Sequence, residues 1–133
     1  MKRKTYRKIK VPRGYLSLHN DCWKLHSEIV RRNEKGICFT CLIKHEWQDC
    51  DCGHFKHACM DFNRKNTHCQ CKKCNNWLKG NLDLYALRLE AKYGFGIIQE
   101  LEKEKWTTME PTYDELLILK EKLTKELKKL QNA

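Results

Sequence analysis

The chain has 133 residues, 41% hydrophobic and 33% charged, which is the size and balance of one globular domain. It contains no run of about 18 apolar residues, so we expect no membrane span, and the N-terminus lacks the apolar segment of a signal peptide. The formal net charge of +10 favours a polyanionic partner, of which nucleic acid is the most common. We therefore expect a cytoplasmic protein without membrane association.

The first elements in the chain are a basic arm and a helix. Residues 1–15 contain lysines and arginines but no acidic side chain, which indicates an arm that orders on a phosphate backbone, or a solvated tail without a role. Helical spacing of apolar residues then predicts a helix over residues 20–33, with Asn20 as its cap and Gly36 ending it. Cys22 falls on the apolar face and is expected in the core.

The middle of the chain has no helical period. Between residues 37 and 62, cysteines and aromatic residues predict turns and short strands, and Gly53 predicts a bend or a close backbone approach. A helix is expected to start near Lys72 and to end at Gly80.

The C-terminal part is predicted to be helical. Asn81 is placed to cap a helix that Gly94 ends, and residues 95–104 predict another short helix. Thr112 and Glu115 have the spacing of a capping box. An apolar stripe follows, which we expect to pack on the domain or on a partner helix, and it consists of Leu116, Leu119, Leu123, Leu127 and Leu130.

Two C-x2-C pairs, Cys38 with Cys41 and Cys71 with Cys74, predict one structural zinc site. An odd number of cysteines without a secretion signal argues against a disulfide scaffold. Each two-residue spacer lets one turn present two sulfur atoms to the same ion. Zinc binding contributes about 10–16 kcal/mol in small modules, which exceeds the stability of most domains.

The remaining cysteines of this region are expected to be small buried apolar residues. They are Cys50, Cys52, Cys59 and Cys69. A second zinc ion, bound by some of them together with His57 or His68, is the alternative.

A second constellation consists of His54, Asn66 and Asn75. Asn75 directly follows a zinc cysteine, so zinc would fix its position. A histidine and an asparagine beside a hard cation suit metal-assisted phosphodiester hydrolysis, in which the histidine takes a proton from water. Mg²⁺ prefers oxygen ligands, so Asp51 and Asn75 are the candidates to bind it.

Several motifs together resemble the NinG/Rap recombination proteins of phages. These motifs are the zinc pairs, "DCGHF", "NTHCQCKKCN", "WLKGNL" and "LYALRLEAKYG", and the likeness covers about residues 16–101. The resemblance implies an HNH-like endonuclease with a ββα-metal core that cleaves branched recombination intermediates such as Holliday junctions and D-loops. It further implies a structural Zn²⁺, a catalytic Mg²⁺ or Mn²⁺, and action in the host bacterial cytoplasm.

Carried over residue by residue, the resemblance makes His54 the general base and Asn66 the central asparagine of the motif. Asn75 matches a metal ligand at the start of a helix. His68 belongs to the same run and stays a candidate without an assigned role.

The sequence departs from the wider HNH class at one position. Many members carry Asp or His directly before the base as the first metal ligand, whereas this chain has Gly53 there. Asp51 is the expected substitute, although strand alternation limits which side chains share a face.

Basic side chains surround the proposed site, against one acid, Asp61, and their density favours phosphate contacts over a merely solvated face. The set is Lys56, Arg64, Lys65, Lys72, Lys73 and Lys79. Trp47, Phe55 and Trp77 could stack on exposed bases or pack around the zinc. For Trp77, on a predicted helix, we expect packing.

The combined expectation is an α+β fold in which a zinc-held ββα-metal (HNH-like) core is flanked by helices, mostly helical outside the core. Residues 1–15 form the arm, residues 16–110 the nuclease domain and residues 111–133 an amphipathic helix. The expected function is metal-dependent cleavage of branched DNA, by a homodimer if four-way junctions are cut symmetrically. The alternative is a non-catalytic zinc protein that binds nucleic acid.

Overall fold

The computed structural model describes residues 12–57 and 59–133. The regular elements are α1 (Tyr15–Asn33), β1 (Cys50–His54), β2 (Thr67–Cys71), α2 (Leu82–Tyr93), α3 (Ile97–Thr107) and α4 (Tyr113–Gln131). A 3-10 turn (Trp47–Asp49) precedes β1 and a π-helical turn (Lys73–Trp77) follows β2. The expected α+β class is confirmed, while most of the predicted arm lies outside the described residues.

Helix α1 begins earlier than predicted. Gly14 occupies the N-cap position with φ 82°, and Asn20 lies inside the helix. The cap prediction at Asn20 was wrong because Leu18, one turn before Cys22, is also buried and extends the apolar face toward the N-terminus. Gly36 closes the helix as predicted, since its N–H donates to the carbonyl oxygen of Arg31 at 3.2 Å.

Helix α4 packs against α1. Leu116 and Leu123 are buried in one cluster with Leu18, Cys22 and Ile29. Leu119, Leu127 and Leu130 pack against the same cluster. The predicted apolar stripe therefore packs on the domain itself. The predicted capping box is also present, with reciprocal hydrogen bonds at the start of α4.

Helices α2 and α3 enclose a second apolar cluster around Tyr85, Leu89 and Leu101. Gly94 follows α2 as predicted. Asn81 occupies the N-cap position of α2 but makes no side-chain cap, because its amide donates to the sulfur of Cys74 at 3.7 Å. No helix in the described part of the chain is long and apolar enough to cross a membrane.

Strands β1 and β2 form an antiparallel hairpin that positions the candidate site. Cys50 pairs with Cys71 at one end and His54 pairs with Thr67 at the other. The π-helical turn follows the Cys71 end directly. One end of the hairpin thus carries Cys71 of the predicted zinc site, and the other end carries the predicted base, His54.

Candidate functional site

Four cysteine side chains converge where the hairpin meets the π-helical turn. The sulfur atoms of Cys38, Cys41, Cys71 and Cys74 all lie within 4.8 Å of one another. Those of Cys41 and Cys71 are 3.8 Å apart, and a tetrahedral Zn²⁺ with Zn–S bonds of ~2.3 Å needs about that separation. This cysteine cluster can therefore hold a zinc ion, as the spacing predicted.

Neighbouring donors favour the thiolate form of Cys38, whereas burial raises the pKa of Cys41 and raises that of Cys71 to about 12. Thr40 lies within hydrogen-bond distance of the Cys38 sulfur at 3.3 Å, and the Cys74 N–H donates to the Cys71 sulfur. Burial raises the pKa of Cys38, but hydrogen bonds from Thr40 and nearby backbone outweigh it and lower that pKa to about 6. A low thiol pKa suits a metal ligand, since zinc binds the thiolate.

Three of the four other cysteines of this region are buried as expected of small apolar residues, whereas Cys59 is only partly buried. Cys50, Cys52 and Cys69 are buried, and burial raises the pKa of Cys52 to about 12. Among the described residues, the cysteine cluster is the one group of three or more histidine, cysteine or carboxylate side chains close enough to share an ion. The alternative of a second zinc ion therefore finds no ligand set in this part of the chain.

His54, at the end of β1, is held from two sides. Its ring stacks on Trp23 of α1, with centroids 4.6 Å apart and planes 13° apart. Its Nε2 lies 2.8 Å from Oδ1 of Asp61, whose other oxygen lies 3.4 Å from Nε2 of His19. The Asp61 carboxylate thus lies at ion-pair distance from Nε2, which makes no hydrogen bond of acceptable angle among the described residues.

Charges around Asp61 keep it ionised. Burial raises the pKa of Asp61, but the contact with His54 and the positive charge that His54 and His19 can carry outweigh this, so the pKa lies below its usual value. Behind this group, burial and the charge of Arg64 lower the pKa of His26 to about 3. The His26 ring is therefore neutral, and it lies within hydrogen-bond distance of Thr67 at 2.9 Å.

Asp51 and Asn75 contact each other through their side chains. Oδ2 of Asp51 accepts a hydrogen bond of 3.0 Å from Asn75, and Oδ1 accepts one from Lys72. Burial raises the pKa of Asp51, but these hydrogen bonds outweigh it and lower the pKa. Asp51 is thus an anionic oxygen in contact with the amide of Asn75, and its binding of a hard cation stays a prediction.

Two adjacent clefts bring these groups together. The first, about 440 Å³, contains Asp51 and Lys72. The second, about 480 Å³, contains His54, His57 and Lys79 and is here called the histidine cleft. Asn75 lines both clefts. The predicted base and the predicted oxygen ligand Asp51 therefore line two different clefts that share Cys52 and Asn75.

Gly53 is explained by a close side-chain approach. A Cβ at Gly53 would collide with Oε1 of Gln70 and would lie 3.1 Å from Oδ1 of Asn75. No larger residue fits while the Gln70 side chain crosses this point. The close approach predicted from the sequence is therefore present, and Gln70 fills the space beside Gly53.

Asn66 lies away from both clefts. It is fully buried, its Nδ2 donates to the carbonyl oxygen of Lys56 at 2.8 Å, and its Oδ1 accepts from the Lys56 N–H at 2.8 Å. The side chain thus closes the loop between β1 and β2. These hydrogen bonds suit a side chain that holds the loop carrying Asp61 in place relative to His54, and not one that contacts a substrate.

His68 lies in the core on the far side of the hairpin. Its ring stacks on Phe39 with centroids 3.9 Å apart, and its Nδ1 lies 3.1 Å from both carboxylate oxygens of Glu34. Tyr93 contacts its other nitrogen at 3.3 Å. The side chain is 2% exposed, so it joins α1, β2 and α2 and does not line either cleft.

The basic residues divide into two groups. Lys56, Arg64 and Lys65 pair with Glu102, Glu126 and Glu100 of α3 and α4. Lys72 pairs with Asp51. Within the described part of the chain, Lys73 and Lys79 form no ion pair, and both are exposed. These two lysines are the ones available to a phosphate backbone.

The aromatic residues also divide. Trp47 lies under the guanidinium groups of Arg31 and Arg32, and Phe55 packs on the cluster between α2 and α3. Trp77 is 85% exposed. The packing prediction for Trp77 was wrong because the turn buries Cys74 and directs Trp77 away from the cluster.

Sequence reasoning did not assign roles to three residues of the site. Asp61 was counted only as one acid among cations, and His19 and Trp23 were not considered. His19 and Trp23 lie four residues apart, and His26 follows at three more, so all three share one face of α1. The helical spacing of these histidine and aromatic side chains was the sequence signal that could have placed them at the site.

The chain matches the family model described as "Bacteriophage Lambda NinG protein" over residues 1–133. It is 28% identical over 115 residues to protein ninG of Escherichia phage lambda, which covers 78% of this chain and 52% of that protein. Protein ninG of Salmonella phage P22 is 27% identical over 115 residues, covering 78% of this chain and 53% of the relative. The chain thus spans about half the length of these curated relatives. No solved structure matches it significantly. From the family model and these relatives, we conclude that the chain belongs to the NinG family of phage proteins.

Proposed function

We propose that this protein is a metal-dependent endonuclease of the HNH-like class that hydrolyses phosphodiester bonds in branched DNA. The observation that carries the proposal is a carboxylate-paired histidine, His54, in a cleft that shares Asn75 with the neighbouring cleft of the anionic Asp51. A protein that only binds nucleic acid has no need for a paired base next to an oxygen ligand set.

His54 acts as the general base. Nδ1 takes a proton from the attacking water, while Asp61 on Nε2 stabilises the imidazolium that forms. The stack on Trp23 fixes the plane of the ring, so that Nδ1 is aimed before substrate arrives.

Asp51 and Asn75 would hold the divalent cation. Their donor set is a carboxylate and an amide, which are oxygen ligands suited to Mg²⁺ or Mn²⁺, and the two side chains touch at 3.0 Å. When bound, such an ion neutralises charge on the phosphate and on the leaving oxygen. The hairpin followed by the π-helical turn supports a ββα-metal core, because the base and the asparagine come from the elements that such a core uses.

Substrate binding relies on the two unpaired lysines. Lys79 borders the histidine cleft and Lys73 lies on the adjacent turn, so both can contact backbone phosphates on either side of the cut. The family resemblance favours Holliday junctions and D-loops as substrates in the host bacterial cytoplasm. Symmetric cutting of a four-way junction requires two sites, and we propose a homodimer on that substrate.

The test is cleavage of end-labelled linear, flap, D-loop and four-way DNA, with and without Mg²⁺ or Mn²⁺. We expect metal-dependent cuts in the branched substrates. His54→Ala should lower the cleavage rate by about 10²–10⁴-fold with zinc content and circular dichroism unchanged. His57→Ala, a histidine of the same cleft without the carboxylate, should lose less than about tenfold.

Two outcomes contradict the proposal. If the wild type binds all substrates but cuts none in either metal, the protein is the non-catalytic alternative. If His54→Ala and His57→Ala lose activity equally, His54 is not the base.

A further inference from the structure

Trp77 is the one exposed residue among the four tryptophans, all of which lie in the described part of the chain. It ends the π-helical turn that also carries Cys74 and Asn75. Cys74 belongs to the cysteine cluster, and the Leu78 N–H donates to the carbonyl oxygen of Lys73 at 2.9 Å. The turn is therefore fixed at both ends, and it presents a large aromatic ring to solvent at little further cost in conformational entropy.

The surroundings of Trp77 are cationic. Lys73 and Lys79 on either side are exposed, and within the described residues neither pairs with an acid. Lysine is depleted at protein–protein interfaces, whereas an aromatic ring between cations is typical of sites that hold single-stranded nucleic acid. Charge complementarity therefore favours a nucleic acid strand over a protein partner at this surface.

We propose that Trp77 stacks on an unpaired base next to the cleaved strand, and that this contact selects branched or gapped DNA over intact duplex. In an intact duplex the faces of the bases are already stacked on each other, so only an unpaired base offers a face to the ring. The inference rests on the proposed function, because it assumes that the turn carrying Asn75 lies against DNA.

The test compares the binding of two labelled DNAs of equal sequence, an intact duplex and a duplex with a four-nucleotide gap. Dissociation constants of the full-length protein are measured by fluorescence anisotropy without added divalent cation. Trp77→Ala should weaken binding of the gapped DNA by at least about fivefold and leave binding of the duplex within twofold. Trp77→Phe should retain most of the preference.

Phe95→Ala is the matched control, because Phe95 is 95% exposed but lies between α2 and α3. It should change neither affinity. An equal loss on both DNAs, or no loss on either, would overturn the inference. So would a dimer in light scattering that Trp77→Ala converts to a monomer with gap binding unchanged, since Trp77 would then face protein.

Measuring both binding and cleavage distinguishes a failure of this inference from a failure of the proposed function. Gap-selective binding that depends on Trp77, without cleavage in Mg²⁺ or Mn²⁺, would retain the stacking contact and reject the nuclease. A wild type that binds neither DNA would reject both.

A different observation concerns Gln70, whose side chain is fully buried beside Asn75. Its Nε2 donates to Oγ1 of Thr40 at 3.2 Å and to the carbonyl oxygen of Gly80 at 2.9 Å. A carbonyl only accepts, so the Gly80 contact fixes which end of the amide carries the nitrogen. Oε1 therefore points the other way, and among the described residues it has no hydrogen-bond partner.

The unpartnered oxygen faces Asn75. Oε1 of Gln70 and Oδ1 of Asn75 both lie close to the point where a Cβ of Gly53 would be. Asn75 directs its Nδ2 toward Asp51, so its oxygen is on the Gln70 side. An amide oxygen is no donor, so with Asn75 in this orientation the buried Oε1 of Gln70 stays without a hydrogen bond.

We infer that Gln70 positions Asn75 for metal binding. With a divalent cation on Asp51, the Asn75 amide turns over, so that its oxygen faces the cation and its Nδ2 donates to Oε1 of Gln70. This inference rests on the proposed metal site, and it gives the unpartnered oxygen a function in the metal-bound state.

The test is a double-mutant cycle on Mn²⁺ affinity, measured by electron paramagnetic resonance on the zinc-loaded protein. Gln70→Met should weaken Mn²⁺ binding about fivefold, the worth of one hydrogen bond. An aspartate at position 75 has two oxygens and needs no such orientation, so Gln70→Met should have no effect in the Asn75→Asp background.

Equal losses from Gln70→Met in both backgrounds would reduce Gln70 to a structural role and overturn the inference. Zinc content and urea midpoints confirm that each variant is folded. If the wild type binds no Mn²⁺ at all, the proposed metal site itself fails, and this outcome is distinct from binding without coupling.

Discussion

The two ends of the hairpin differ in how open their candidate ligand side chains are to solvent. At the end formed by Cys50 and Cys71, four sulfur atoms face inward and leave no open position. At the end formed by His54, the ring is half-buried and opens into the histidine cleft. A closed set of four thiolates is typical of structural zinc, whereas chemistry needs an open position for water and substrate. We therefore expect the closed cysteine end to contribute stability and the open His54 end to contribute reactivity.

The two ends are nevertheless coupled through adjacent residues. Cys74 belongs to the cysteine cluster and Asn75 lines both clefts. A zinc ion bound by Cys74 would therefore fix the backbone of the next residue, Asn75. The difference between the ends can be tested by variants that should affect stability at one end and activity at the other.

The largest effect is expected from Cys71→Ala. A structural zinc site contributes an amount comparable to the whole stability of a domain, so losing one ligand should remove zinc and unfold the region around β2. Zinc analysis and circular dichroism measure this. Cys69→Ala, which removes a buried sulfur outside the cluster, should keep one zinc and cost about 1 kcal/mol. A folded, zinc-free Cys71→Ala protein would show that the cluster does not hold the fold.

A smaller effect, on activity alone, is expected from Asp61→Asn. The amide cannot stabilise the imidazolium of His54, so we expect about a 100-fold lower cleavage rate with zinc content unchanged. Asp21→Asn, on a surface carboxylate paired with Lys120, should have no effect. Equal rates for Asp61→Asn and the wild type would remove Asp61 from the mechanism.

The smallest effect concerns His26 and pH. Above pH 6.5 its ring is neutral in both folded and unfolded chains, while between about 6.5 and about 3 only the unfolded chain takes up the proton. Stability should therefore fall by about 1 kcal/mol from pH 7.5 to 5.5. Urea unfolding of the wild type and His26→Gln at both pH values isolates this contribution. An identical pH dependence in the two proteins would contradict a neutral buried ring.

Local features of the site followed from the sequence. The cysteine pairs, the close approach at Gly53 and the capping box at Thr112 each depend on residues a few positions apart, and the structure confirms all three. Asp51 and Asn75 were predicted only as candidate ligands of one cation, and their side chains contact each other at 3.0 Å.

Tertiary packing decided the remaining features. Asp61 reaches His54 only because the loop of the hairpin folds onto α1, and His68 turns into the core because Phe39 and Glu34 pack around it. Trp77 is exposed because its turn buries Cys74 and points Trp77 to the opposite side. The sequence determined which ligands and caps exist, since these are short-range and fixed by spacing. Only the packing of α1, the hairpin and α2 decided which side chains face water, because burial depends on contacts between residues far apart in the chain.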